Sequence, residues 1–180
     1  MDRRKFLSLS GLASIIAVSP ISGNPLCLPL SPCLPSKNEE EGYIMTVRGK
    51  LAKAKVGVTL AHEHIITDFA GAEKNLSPIY THSEAMSKIL PHLKKLKQSG
   101  VNAMAECTPA YIGRNPLLLR ELSAASGLHI ITNTGYYAAV GHKYLPKHAF
   151  TETAEQLALR WLAEWREGIE GSGIRPGFIK

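Results

Sequence analysis

The sequence predicts an α/β fold, a (β/α)8 TIM barrel represented by its first four strands. Three observations predict the barrel. From Tyr43 onward, apolar β-branched segments alternate with amphipathic ones in the order β-α-β-α-β-α-β, the pattern of a parallel sheet covered by helices. No glycine-rich turn follows the first strand to cradle a dinucleotide phosphate, which disfavours the doubly wound open sheet. The first strand ends in His62-Glu63-His64, and polar residues at that end of a barrel strand face the barrel mouth.

Each element has its own signal. Val56 to Ile66 is apolar and β-branched except for the two histidines and Glu63, a buried parallel strand with a polar end. A helix is predicted from about Ser83 to Ser99. Thr81 and Glu84 have capping-box spacing, and Met86, Ile89, Leu90, Leu93 and Leu96 form an apolar stripe. Pro91 lies inside it and should kink it. Gly100 ends this helix, and Val101 to Thr108 reads as the second strand.

Asn115 as cap and Pro116 at the first helical position start a second helix that runs to Ser126, where Gly127 stops it. His129 to Thr134 is the third strand, followed by a loop from Gly135 to Phe150. Thr151 begins a third helix with Leu157, Trp161, Leu162 and Trp165 in its apolar stripe, and Phe178-Ile179-Lys180 opens a fourth strand. A barrel takes about 250 residues. The body, 43–180, is therefore expected to be the N-terminal half of one, truncated in strand four.

Composition narrows the function classes. The 180 residues are 44% hydrophobic with a formal net charge of +6, values of a soluble globular chain rather than a disordered or collagen-like one. The long apolar run from Phe6 to Val18 is too short and too serine-broken to span a bilayer. Residues 1–42 hold four basic and four acidic side chains, so the positive excess belongs to the body. A basic body suits nucleic acid or an anionic substrate. Much of it is Lys94, Lys95 and Lys97 without interleaved aromatics, which reads as a solvated helix face, and no nucleic-acid partner is expected. Cys27, Cys33 and Cys107 have neither zinc-finger spacing nor a disulfide framework.

Arg3-Arg4-Lys5-Phe6-Leu7, set directly before an apolar, serine- and glycine-rich stretch, resembles a twin-arginine export signal. Residues 1–42 are therefore expected to be that signal and a Pro/Ser-rich linker. The protein is expected to be periplasmic or otherwise exported, with no membrane contact beyond the export machinery.

His62 and His64, two apart on a strand, project to one side of the sheet, where two imidazole nitrogens can hold one divalent metal. A structural or surface pair is the plain alternative. At this point Gly57-Val58-Thr59-Leu60-Ala61-His62-Glu63-His64-Ile65 resembles the first-strand metal motif of the phosphotriesterase family of the amidohydrolase superfamily. The likeness continues through Glu106-Cys107-Thr108-Pro109, Ile112-Gly113-Arg114-Asn115, Thr134-Gly135-Tyr136-Tyr137, Gly168-Ile169-Glu170-Gly171 and Gly177-Phe178-Ile179-Lys180. It covers nearly all of 43–180, in order.

The resemblance implies a binuclear centre of two divalent metal ions, zinc foremost. His62 and His64 would bind the first, and Lys180, carbamylated by CO2, would be the bridging catalytic ligand. Tyr137 matches a substrate-facing aromatic position beside the metals, where tyrosine resembles the lactone-hydrolysing branch and tryptophan the organophosphate-degrading one. An aromatic packed under the long loop is the plain alternative for Tyr137. Glu106 and Arg114 match an acidic and a basic structural position, expected to pair below the site. His129 starts a strand at the wrong end to be a ligand, and His142 and His148 are expected to be surface loop histidines.

The implied activity is hydrolysis of a small lactone, carboxylic ester or phosphotriester by a metal-bridged hydroxide, in a protein that can form a homodimer. Two further histidines and an aspartate would come from later strands, so the 180-residue chain alone is expected to be inactive. Two alternatives stand beside it: another amidohydrolase-superfamily metal-dependent hydrolase, such as a nuclease with the same first-strand pair, and a non-catalytic half-barrel fragment.

Overall fold

The computed structural model describes residues 42–75 and 77–180, which lie within one compact unit, Asn38–Lys180. The expected signal and linker, with Cys27 and Cys33, fall outside the described residues.

Two short strands that the sequence reading lacks come first. β1 (Tyr43–Thr46) and β2 (Gly49–Ala52) form an antiparallel hairpin with Thr46 opposite Gly49. It docks against the later sheet where the Val47 amide donates to the Ile130 carbonyl at 2.9 Å. The predicted first strand follows as β3 (Thr59–Glu63), shorter than 56–66 because its ladder with the next strand begins at Thr59 and ends at Glu63.

β3, β4 (Ala103–Glu106) and β5 (His129–Ile131) run parallel in that order. β6 (Asn133–Thr134) pairs in parallel with β7 (Phe178–Ile179). β5 and β6 are the predicted third strand, divided at Thr132, where the chain leaves β4 and takes up its next neighbour. The Gly177 amide donates to the Thr132 carbonyl there at 2.8 Å. These are the first four strands of the barrel, in chain order.

Local signals set the helices. α1 (His82–Gln98) has the full Thr81–Glu84 capping box, and it runs unbroken through Pro91. Pro91 is exposed, so water can serve the carbonyl that loses its partner. α2 (Pro116–Ser126) is capped by the Asn115 side chain and stopped by Gly127 at φ 77°, as predicted. Leu93, Met104, Leu118, Leu119, Leu122 and Ile130 form the core between sheet and helices, and the α1 stripe packs against it.

α3 (Ala154–Glu167), capped by Thr153, departs from the prediction. None of its residues is buried, and Leu162 and Trp165 of the expected stripe are 44% and 38% exposed. Polar contacts tie it to the sheet. Arg114, with a side chain only 2% exposed, donates to the two carboxylate oxygens of Glu164 at 2.9 and 2.7 Å and to Glu170 at 3.2 Å. It also donates to the Asn133 carbonyl at 3.0 Å, while the Thr134 hydroxyl donates to Glu164 at 2.6 Å. This corrects the expected Arg114–Glu106 pair: the guanidinium fork meets a carboxylate on α3, and Glu106 finds other donors.

Gly135 allows the last strand to close in. At φ 103°, any Cβ there would fall on the backbone carbonyl of Lys180, whose amide donates to the Thr134 carbonyl at 2.7 Å.

Two stability changes follow from these contacts. Gly135→Ala should cost more than about 2 kcal/mol, from backbone strain plus the collision. Arg114→Ala should cost about 3 kcal/mol, because it leaves the Glu164 carboxylate half-buried without its cation. Urea unfolding of each variant measures both, and a change under about 0.5 kcal/mol would contradict the corresponding contact.

Candidate metal centre

A bulge in β3 sets up the site. Leu60 pairs with Met104 and Glu63 with Glu106, so three steps along β3 match two along β4. Leu60 packs against the core under the helices, and side chains alternate faces along a strand. Without the bulge His62 would share Leu60's face. The extra residue reverses the alternation, puts Glu63 and Glu106 in register on the helix side, and turns His62 and His64 to the opposite face.

There the two imidazole rings stand 5.3 Å apart between centroids at 56°. Lys180 Nζ lies 3.4 Å from His62 Nε2 although 118 residues separate them in sequence. The three predicted ligand residues are therefore gathered at the C-terminal ends of β3 and β7. Among the described residues no group of three or more His, Cys, Asp or Glu side chains is placed to hold a metal ion; the third member here is a lysine. Partial burial, aided by the neighbouring His62 and Lys180, holds His64 below the usual imidazole range.

Beneath His64 lies an arrangement that the linear pattern does not reveal. His64 Nδ1 is 2.9 Å from the Thr108 hydroxyl, which donates to Glu106 Oε1. Glu106, 1% exposed, also accepts from the Ile65 amide at 3.2 Å and the Thr108 amide at 3.3 Å. Burial pushes its carboxyl above the ordinary range, against the pull of these donors. Asn133 Nδ2 donates to the Glu106 and Thr108 carbonyls at 3.0 and 3.1 Å and clamps the turn. Glu106 and Thr108 both belong to the quoted motif, but nothing in their spacing announces the hydrogen bonds.

Tyr137 follows Gly135 and Tyr136 after β6 and stacks on the buried Tyr144 ring, 5.7 Å away at 29°. His129 starts β5, where its Nδ1 meets Arg48 at 3.2 Å. His142 is exposed. His148 corrects the expected surface position: it is half-buried, and its Nε2 pairs with the Tyr136 hydroxyl at 2.8 Å. Cys107 is a buried free thiol. Lys94 and Lys95 are exposed, and Lys97 reaches Asn102.

Comparison with known proteins adds the wider context. The chain is 29% identical over 123 residues to a phosphotriesterase homology protein of Escherichia coli K12, covering 68% of this chain and 40% of that one. It is 27% identical over 169 residues to an N-acetyltaurine hydrolase of Danio rerio, covering 79% and 48%. Among solved structures it is similar to the organophosphorus hydrolase of Deinococcus radiodurans, with a TM-score of 0.65 and 33% identity over 76% of this chain and 42% of that one. The chain thus spans less than half the length of these relatives. The model of the phosphotriesterase family matches residues 42–180, the whole of the described unit from the hairpin to Lys180, and the chain belongs to that family.

Proposed function

We propose that the protein is a metal-dependent hydrolase of small esters, with lactones first, then carboxylic esters and phosphotriesters. The observation that carries this reading is the meeting of His62, His64 and Lys180 at the strand ends. Two imidazoles with a free nitrogen suit zinc, manganese, iron or cobalt. A lysine beside them suits two divalent ions only once its amine has added CO2 and lost a proton, becoming an anionic carbamate able to bridge. The residues fit on those terms: His62 and His64 would hold an ion through their ring nitrogens, and carbamylated Lys180 would supply an anionic oxygen ligand beside them. Such ions, when bound, supply Lewis acidity toward the scissile carbonyl or phosphoryl group and an activated water.

The chain's own residues do the positioning. The bulge aims the histidines and Gly135 admits the Lys180 backbone, while Tyr137 borders the substrate side. Glu106 is no general base in this reading, because it is buried and engaged by three donors. Delivery by the twin-arginine route to the periplasm, a small-molecule ester or lactone substrate and a homodimer belong to the same proposal. A second reading, hydrolysis of an N-acyl amide, is favoured by the relative named as an N-acetyltaurine hydrolase.

Metal analysis and turnover of a panel of lactones, phosphotriesters and N-acetyltaurine test the reading on the full-length protein. Wild type should bind two divalent ions and lose turnover on chelation, with recovery on readdition. His64→Ala and Lys180→Met should each lower metal affinity by at least about 100-fold. A folded full-length protein that binds no divalent metal would sink the proposal. Tyr137→Trp should raise phosphotriester relative to lactone turnover, and an unchanged ratio would remove Tyr137 from the substrate side.

A further inference from the structure

We propose that Thr108 is a positioning residue that, with Glu106 behind it, commits His64 to the tautomer protonated on Nδ1 and so presents Nε2 as a free lone pair. The inference rests on the reading of His64 as a metal ligand but can be tested without metal.

The Thr108 hydroxyl has one proton, and Glu106 takes it. Each carboxylate oxygen already accepts a backbone amide, Ile65 N on Oε1 and Thr108 N on Oε2, bonds that hold the ionised form, and an ionised carboxylate can only accept from the hydroxyl. The hydroxyl therefore offers His64 only a lone pair. At 2.9 Å the imidazole Nδ1 must be the donor. A neutral imidazole protonated on Nδ1 is unprotonated on Nε2, the form that can bind a divalent ion.

The backbone holds the chain of bonds in place. Glu106 closes β4 and Thr108 stands two residues beyond, with Asn133 from β6 gripping both carbonyls. The Cys107 amide donates to the Glu63 carbonyl at 2.7 Å, which fixes the turn against the residue between the two histidines. His62 has no such partner among the described residues; its hydrogen-bond neighbour is Lys180. The positioning is thus specific to one histidine.

Two variants and two measurements test it. Thr108→Val keeps the shape and removes the acceptor, whereas Thr108→Ser keeps the hydroxyl. Long-range nitrogen–proton NMR of the metal-free full-length protein reads the His64 tautomer directly. Wild type and Thr108→Ser should show Nδ1 protonated and Nε2 bare, and Thr108→Val should gain the Nε2-protonated form. Zinc affinity, read by competition with a chromophoric chelator, should fall about 10- to 100-fold in Thr108→Val and be retained in Thr108→Ser.

Nε2 protonation in wild type overturns the proposal, as does an unchanged tautomer in folded Thr108→Val. If Thr108→Val does not fold, the wild-type and Thr108→Ser spectra decide between the two tautomers. A wild-type protein with Nδ1 protonated that binds no zinc supports the positioning and overturns the metal-centre reading instead, so the two failures are distinguishable.

Discussion

A carboxylate buried where two strands end is the constraint on which this site depends. Taking the Glu106 charge out of water costs several kcal/mol, and Glu106 is only 1% exposed. The cost is offset because three donors converge on it, one from the chain beyond β3 and two from Thr108 beyond β4. The parallel ladder has run out at this point, so ordinary strand pairing no longer holds the chains together. Glu106 replaces it with side-chain bonds. Removing any one donor would leave part of a buried charge unsatisfied, which makes the geometry of the strand ends steep rather than soft.

The second constraint brings in Lys180 from 118 positions away. It is a matter of backbone clearance. β7 reaches β6 because Gly135 presents no Cβ to the Lys180 carbonyl, and the Lys180 amide then bonds to Thr134. Below this contact, Arg114 joins the Asn133 carbonyl to Glu164 and Glu170, so α3 is anchored to the same two residues of β6 that serve the site. Asn133 and Thr134 thus face three demands: the clamp on the Glu106 turn, the pairing with β7, and the polar attachment of α3.

What was legible in the sequence was local. Thr81 with Glu84, and Asn115-Pro116 with Gly127, fix helix ends by contacts three or four residues apart, and both helices form where the pattern puts them. The strand–helix order followed from periodicity. The hairpin of four-residue strands was too short for periodicity to register. Leu162 and Trp165 show a limit of another kind: helical spacing says that a face is apolar, but not what covers it. Arg114 was readable as a structural cation, yet its partner was set by where α3 lands in space. His62 and His64 were legible as a pair through their spacing, but the face they occupy depends on a bulge that shows only in the register with β4.

That bulge and the Glu106 turn together make the site asymmetric. His64 is held on its far side by Thr108, in a chain of bonds that ends on a buried charge and is clamped by Asn133. Both rings are exposed on their outer side, and His62 has Lys180 Nζ as its hydrogen-bond neighbour in place of such a chain. Side-chain order costs entropy whenever it is imposed, and here the hydrogen bonds that impose it from the core reach one histidine and not the other. The histidine so held is the one whose fixing contacts lie inside the core, because only there is a misplaced polar group expensive enough to enforce a single geometry.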